Sequence, residues 1–261
     1  MSPATAPFVL SIPHGASEIP PDILKDIALN REQILESVDH GSLEIFQTAP
    51  AAARLMARWS RLTVDLNRDP GRGGEKGVTA LVDYHGRRIF LPGREPGQAE
   101  RARRAALYHR PYHQELARAL ARDDILGLWD CHSLDGVGPT GAPDPGARRA
   151  DVVLGSGGPR GRIGGGKNAS CPAEVLEIMG RAFERQGLSA AHNDPYSGGY
   201  ITRHYGGPLR RRGKWAVQIE VNKGLFQDSN LEIDPARLEA VRGRIARAMA
   251  EIASELTQTS S

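Results

Sequence analysis

Polar residues with the chemistry of a hydrolytic metal site follow several of the buried strands that the sequence predicts. His14 follows the first apolar run, Asn67 and Arg68 follow the second, and His132 closes the third. Glu220 lies near the end of the last predicted strand. Because open α/β sheets bind ligands at the carboxyl ends of their strands, we expect these side chains to converge. Two imidazoles with nearby carboxylates suit a catalytic zinc site, which takes three protein ligands and leaves one position for water. Each imidazole taken alone is equally consistent with a hydrogen-bonded structural residue.

The elements that must position these residues alternate along the chain. Short apolar runs predict strands at residues 8–12, 62–66, 125–131, 151–155 and 215–222. Apolar positions at helical spacing predict helices at residues 21–57 (broken near Pro50), 97–122, 172–187 and 235–256. Glycine and proline predict loops at residues 134–150 and 155–168, and a turn-rich segment at residues 193–207. This order predicts an α/β fold, a three-layer sandwich with a central, mostly parallel mixed sheet, in one domain spanning residues 1–261.

Composition narrows the classes of protein that the chain can belong to. The 34 Lys and Arg residues against 31 Asp and Glu residues give a net charge of +3, far below that of a dedicated nucleic-acid binder. The run of arginines at residues 210–212 is typical of a solvated turn. No apolar run approaches the ~20 residues of a membrane span, and the first residues lack the pattern of a secretory signal. We therefore expect a cytoplasmic protein without a membrane or nucleic-acid partner. With only two cysteines, any metal must be held by His and carboxylate ligands.

Six short motifs occur in an order that resembles the N-formylglutamate amidohydrolase (N-formylglutamate deformylase) family. They span most of the chain, from about residue 8 to about residue 225. The motifs are SIPHG at 11–15, VDLNR at 64–68, YHRPYH at 108–113, DCHS at 130–133, GGYITRHYG at 198–206 and QIEVN at 218–222. The resemblance implies a phosphorylase/hydrolase-like fold of the zinc exopeptidase type. It also implies a cytoplasmic zinc amidohydrolase of histidine degradation.

The resemblance assigns a metal site and a general base. His14 and His132 are similar to the two imidazole ligands of the family, and Asp39 matches its Asp in the same helical region. Glu18 is the rival third ligand, because a carboxylate follows His14 in a pattern similar to that of zinc carboxypeptidases, with one residue more between them. We favour Asp39. Glu220 resembles the catalytic carboxylate, although a Glu at the end of a strand is commonly a partner in a salt bridge.

The remaining motif residues are candidates for holding substrate. Arg68 and Arg203 suit the two carboxylates of N-formylglutamate, since guanidinium groups bind carboxylates with two hydrogen bonds. Structural salt bridges are the alternative for both. Asn67 and Thr202 are expected to assist by hydrogen bonding. Asp130, two residues before His132 on a strand, is expected to hydrogen bond to that ring.

The substrate predicted by the resemblance is a small N-acyl amino acid, cleaved with zinc to release the acyl group. One departure from the family bears on its identity: the chain has Val38-Asp39-His40 where deformylases carry Thr-Asp-Trp. An amidase for another N-acyl amino acid or for a cell-wall peptide is therefore the alternative. A binding protein without catalytic activity and a nucleic-acid binder are further alternatives that the retained site residues and the modest charge disfavour. The sequence leaves the oligomeric state open.

Overall fold

Strand-forming runs buried along their whole length build the centre of the molecule. The computed structural model describes residues 6–164, 166 and 169–258. Six strands form one sheet in the order β2-β1-β3-β6-β4-β5. Their bounds are Phe8–Ile12 (β1), Ala53–Met56 (β2), Gly127–Leu134 (β3), Val152–Gly155 (β4), Ala190–His192 (β5) and Trp215–Asn222 (β6). Strands β2, β1, β3 and β6 run parallel, and β4 pairs antiparallel with β6. The fold is thus α/β with a mostly parallel mixed sheet, as predicted.

Helices cover both faces of this sheet. Their bounds are Pro21–Leu24 (α1), Arg31–Glu36 (α2), Ser42–Phe46 (α3), Gln98–Arg104 (α4), Arg110–Ala121 (α5), Ala173–Arg185 (α6), Tyr200–Arg210 (α7) and Pro235–Gln258 (α8). A π-helical stretch, Ala105–His109, joins α4 to α5, and a short 3₁₀ turn, Lys223–Leu225, follows β6. None of the helices in the described ranges is long and apolar enough to cross a membrane.

The alternation of side chains along the strands divides the core into two layers. Trp129 and Cys131 of β3 face a cluster that includes Phe183 of α6 and Ile245 of α8. Leu128 faces the opposite layer, which α5 and α7 cover. Cys131 is fully buried in this cluster and is a core residue. The central pair β3 and β6 is closely packed at Gly127, where a Cβ atom would lie 2.2 Å from the ring of Trp215.

The predicted strand at residues 62–66 is wrong. The segment is buried but forms turns, because the Asp65 carboxylate accepts the amide hydrogen of Asn67 at 2.9 Å and the Thr63 amide bonds to Ser60 at 2.9 Å. Its apolar side chains, Val64 and Leu66, still enter the core, which is why the pattern resembled that of a strand. Asn67 and Arg68 therefore lie in a loop beside the sheet rather than at the end of a strand.

Two further predictions differ from the structure. The last residues of the predicted helix at 21–57 form strand β2, and the rest of that segment is three short helices. Residues 200–210, within and just beyond the segment predicted as turn-rich, form helix α7 in spite of two glycines and Pro208. Gly206 is needed there for packing, since a Cβ atom would lie 2.3 Å from the Cβ of Ser170.

Candidate active site

The central strands bring the predicted residues to one edge of the sheet. His14 follows the end of β1, and His132 lies near the end of β3. In the β3–β6 register, His132 is opposite Glu220 and Asp130 is opposite Gln218. Because side chains two residues apart on a strand share a face, both pairs point to the same side of the sheet. Parallel strands that end together thus create the site, as expected from the sequence.

His14, Asp39 and His132 form a buried cluster that could hold a metal ion. One ligand atom from each residue lies within 4.8 Å of the others. Oδ2 of Asp39 is 2.7 Å from Nδ1 of His132 and 3.6 Å from Nδ1 of His14. Asp39 lies in the turn between α2 and α3, and its backbone amide bonds to the carbonyl of His14 at 3.1 Å. One carboxylate oxygen therefore faces two imidazole nitrogens.

Two further carboxylates hold the other nitrogen of each imidazole. Oδ1 of Asp65 is 2.7 Å from Nε2 of His14, and Oδ1 of Asp130 is 3.0 Å from Nε2 of His132. A carboxylate on the outer nitrogen fixes the ring and its tautomer, so that Nδ1 is left as the ligand atom. Nδ1 of His14 is buried and has no hydrogen-bond partner in the part of the chain that the structure describes. An unpartnered buried nitrogen is costly in a protein, and a metal ion at this point would satisfy it. The residues present therefore fit a metal ion with N and O ligands, such as zinc.

Charge is concentrated around this cluster. Burial raises the pKa of Asp39, but the hydrogen bond from His132 and the electrostatic attraction of the two imidazoles outweigh it and hold that pKa well below its usual range. Burial likewise raises the pKa of Asp65, and the positive charge of Arg61 and the hydrogen bond from His14 lower it well below the usual range. Arg61 lies between the two carboxylates, with Nη2 2.6 Å from Asp65 and Nη1 3.7 Å from Asp39. Both carboxylates are thus ionised at neutral pH.

Glu220 differs from these carboxylates because it lacks a strong cationic partner. Burial raises its pKa to about 7. The negative charges of Asp39 and Asp130 also raise this pKa, and the charge of His132 opposes them. Gln218 donates a hydrogen bond from Nε2 to Oε1 of Glu220 at 2.8 Å. A carboxylate with a pKa near neutrality is suited to accept a proton and to release it again.

A cavity of about 380 Å³ opens onto this group of residues. His14, Asp39, His132 and Glu220 line it, together with the cationic side chains of Arg61, Arg68, Arg149, Arg203 and Lys223. Two of these cations are already bound to carboxylates away from the metal cluster: Arg149 to Asp144 at 2.7 Å and Lys223 to Asp135 at 3.1 Å.

Arg203 and Arg68 are the cations with spare donors. Among the described residues, Arg203 donates a hydrogen bond only to the hydroxyl of Ser197, at 3.1 Å. Arg68 approaches Asp65 at 3.4 Å and its side chain is 43% exposed. Both therefore keep N–H groups for an anionic ligand in the cavity.

Two other predicted residues, Asn67 and Thr202, are held by hydrogen bonds inside the protein, and Glu18 lies at the surface. Asn67 lines the cavity, but its Nδ2 donates to Asp130 at 3.2 Å and its Oδ1 accepts the backbone amide hydrogen of Ile201 at 2.7 Å. Its Nδ2 also lies 3.0 Å from Nε2 of His132. Thr202 is fully buried and donates its hydroxyl to Asp130 at 3.0 Å, so that it lies behind the site rather than at its surface. Glu18 is exposed, and the cluster among the described residues that could hold a metal ion contains Asp39 instead.

Sequence reasoning missed three residues of the site: Asp65, Arg61 and Gln218. Asp65 and Gln218 lie inside motifs that were recognised, each two residues before a residue that was selected. The available signal for these two residues was a carboxylate or amide side chain two positions before a candidate site residue. Arg61 lies outside the motifs, and its place at the site is evident only in the folded structure.

Comparison with known proteins gives a consistent result. A family model described as N-formylglutamate amidohydrolase matches residues 6–227. An N-formylglutamate deformylase of Pseudomonas aeruginosa is 28% identical over 264 residues, which cover 97% of this chain and 92% of the relative. An N-formylglutamate deformylase of Pseudomonas putida is 29% identical over 234 residues, which cover 85% of this chain and 82% of the relative.

Solved structures share the fold. A crystal structure of an N-formylglutamate amidohydrolase from Ralstonia eutropha has a TM-score of 0.75 at 20% identity, with 98% of this chain and 96% of that chain covered. A gene product of Agrobacterium tumefaciens has a TM-score of 0.69 at 19% identity, with 97% and 93% covered.

Proposed function

The chain belongs to the N-formylglutamate amidohydrolase family, and on that premise we propose that it hydrolyses the N-formyl amide of N-formyl-L-glutamate, or of a close N-acyl amino acid. Membership makes it a hydrolase acting on a linear amide. The products of the proposed reaction are formate and the free amino acid. The observation that carries the proposal is the position of Glu220 beside the cluster of His14, Asp39 and His132 in one cavity.

His14, Asp39 and His132 are the proposed ligands of a catalytic zinc ion. Zinc bound there would polarise the amide carbonyl and lower the pKa of the attacking water. The support for this assignment is the unpartnered Nδ1 of His14 and the carboxylates of Asp65 and Asp130, which orient both imidazoles. A site with three protein ligands leaves room for water and substrate.

Glu220 is the proposed general base and acid. Its carboxylate accepts a proton from the attacking water and then returns the proton to the nitrogen of the departing amino acid. The raised pKa makes both transfers accessible near neutral pH, because the group is neither too weak a base nor too weak an acid. Gln218 holds one oxygen of the carboxylate, which leaves the other to take the proton.

Arg68 and Arg203 are the proposed partners of the substrate's carboxylates. N-formyl-L-glutamate carries two carboxylates, and these two cavity cations have donors that the protein does not use. The geometry supports Asn67 and Thr202 as residues that hold Asp130, the partner of His132, in place of the substrate contact expected from sequence. In the proposed enzyme, the two arginines therefore bind the substrate, whereas Asn67 and Thr202 align the metal site.

A panel of N-formyl and N-acetyl amino acids tests the proposal. The zinc-loaded enzyme should release amine from N-formyl-L-glutamate with the highest kcat/KM, and less efficiently from N-formyl-L-glutamine, which lacks the second carboxylate. The Glu220→Gln variant is the control for contaminating activity. A preference for N-acetyl over N-formyl substrates would favour the alternative amidase, and no amine release above the control would contradict the proposal.

A further inference from the structure

The segment at residues 62–68 reaches the active site without the support of a neighbouring strand. It supplies Asp65, which bonds to His14, and Asn67, which donates to Asp130 and lies 3.0 Å from Nε2 of His132. Buried backbone carbonyls need hydrogen-bond donors, and in a sheet the next strand would provide them. The carbonyls of Leu66 and Arg68, which follow Asp65 and Asn67, must therefore find donors elsewhere.

Two imidazoles supply those donors. Nε2 of His113 lies 2.9 Å from the carbonyl oxygen of Leu66, and Nε2 of His109 lies 3.0 Å from that of Arg68. Because a carbonyl oxygen only accepts, both Nε2 atoms must carry the hydrogen. The two rings are stacked with centroids 4.2 Å apart, so they hold alternate carbonyls of the segment side by side.

The imidazoles are themselves held in place. His109 ends the π-helical stretch Ala105–His109, and His113 lies one turn further, in α5. The Tyr205 hydroxyl of α7 is 3.0 Å from Nδ1 of His113 and 3.1 Å from its carbonyl oxygen. A cavity of about 460 Å³ borders both rings, and Tyr200 and His204 also line it. The rings are thus fixed by the helices, and are not simply packed between apolar side chains.

We propose that His109 and His113 are positioning residues that hold the 65–68 segment in register with the metal-site imidazoles. Each donated hydrogen bond fixes the backbone next to a residue that acts at the site: Asp65 and Asn67 lie on either side of Leu66, and Arg68 is itself held. Loss of either donor loosens the whole segment. The Asp65 carboxylate behind His14, the Asn67 amide beside His132 and the guanidinium of Arg68 then lose their positions together. The inference rests on the proposed function for its effect on catalysis, and its effect on metal affinity is independent of the substrate.

Paired substitutions separate hydrogen bonding from volume. His109→Leu and His113→Leu remove the donor, whereas His109→Gln and His113→Gln keep an N–H group at a similar reach. His204→Leu is the matched control, because His204 lines the same cavity and contacts the rings of Tyr200, Tyr205 and His113 but makes no hydrogen bond to the segment among the described residues. For each variant, kcat and KM with N-formyl-L-glutamate and zinc affinity by chelator competition are measured, with unfolding to check the fold.

The Leu variants should lose roughly 10–100-fold in zinc affinity, as expected when the partners of ligating imidazoles are disturbed. Their KM should rise as well, since Arg68 shifts with the segment. The Gln variants should recover most of both quantities, and His204→Leu should match wild type. Leu variants that match His204→Leu would overturn the inference, as would Gln variants as impaired as the Leu variants. If wild type itself hydrolyses no N-formyl-L-glutamate, the proposed function fails, while the zinc affinities still decide this inference.

Discussion

The side-chain amide of Gln218 joins Glu220 to the start of helix α7. Its Nε2 donates to Oε1 of Glu220 at 2.8 Å, and its Oε1 accepts the backbone amide hydrogen of Gly199 at 2.6 Å. Because the backbone N–H of Gly199 only donates, the orientation of the amide is fixed, and its NH₂ group must face Glu220. Gln218 therefore presents a donor to the carboxylate that we propose as general base, and orients it for proton transfer.

The first prediction is that Gln218 contributes to catalysis through Glu220. Glu220→Gln should keep zinc and substrate binding but lower kcat by about 10²–10⁴-fold, the range typical of a lost general acid–base. The acidic limb of the pH–rate profile should vanish with it, since only the ionised carboxylate accepts a proton. Gln218→Met should lower kcat by about tenfold, the equivalent of one hydrogen bond to a charged group.

A double-mutant cycle checks this coupling. In the Glu220→Gln background, Gln218→Met should cost little further kcat, because the carboxylate that it orients is absent. Gln227→Met is the matched control, since Gln227 bonds to His40 and to the carbonyl of Leu231. Full additivity of the two substitutions would contradict the coupling, and loss of zinc from Glu220→Gln would make Glu220 a ligand.

The second prediction concerns the third metal ligand. Asp39→Ala should strongly weaken zinc binding, because Asp39 faces both imidazoles, whereas Glu18→Ala should leave it near wild type, because Glu18 is exposed. Elemental analysis after dialysis against a weak chelator measures the difference. Equal zinc content in the two variants would show that Asp39 is not a metal ligand.

The third prediction concerns the carboxylates behind the imidazoles. Asp65→Asn and Asp130→Asn keep the shape of the side chain but weaken the hold on His14 and His132, so that zinc affinity should fall roughly 10–100-fold. Asp123→Asn, at a fully exposed position, should have no effect. Chelator competition measures the three affinities under one condition. Unchanged affinity in both site variants would mean that the imidazoles are oriented by other contacts.

Much of the fold follows from the sequence because a buried strand is a short apolar run, which the local sequence shows directly. β1, β3, β4 and β6 are short apolar runs, and α8 carries a clear apolar face, so each was predicted near its actual position. Residues 62–66 have the same apolar pattern without being a strand. The carbonyl groups of Leu66 and Arg68 bond to imidazoles that lie 47 and 41 residues further along the chain, and no local pattern reports such partners.

The site was predictable in part for a related reason. His14, Asp39, His132 and Glu220 lie in motifs, and the structure brings all four to one cavity. The resemblance to the family is confirmed by the family model. The role of Arg61 could not be anticipated, because it depends on the distance between Asp39 and Asp65, which only the folded chain defines.

The fourth prediction is that Arg68 and Arg203 recognise carboxylates. Arg68→Met and Arg203→Met should each raise KM for N-formyl-L-glutamate with little change in kcat, if the contact is equal in ground and transition states. The variant that has lost the partner of the side-chain carboxylate should also lose the preference for N-formyl-L-glutamate over N-formyl-L-glutamine. Arg110→Met, outside the active-site cavity, is the control. Unchanged KM and kcat in both site variants would exclude the carboxylate assignment.

The fifth prediction is that His113 makes the protein less stable in mild acid. Burial, with a smaller contribution from His109, lowers the pKa of His113 from 6.5 to about 4. The folded state therefore keeps the ring neutral, while the unfolded chain binds a proton below pH 6.5. It follows that this contribution to stability is complete above pH 6.5 and is lost as the pH falls from 6.5 towards 4. Between pH 7.5 and pH 5, the free energy of unfolding should fall by about 2 kcal/mol more in wild type than in His113→Gln, whose side chain does not titrate. Denaturant unfolding of the two proteins at both pH values measures the difference. An equal pH dependence in the two would show that His113 is protonated as readily in the folded protein as in the unfolded chain.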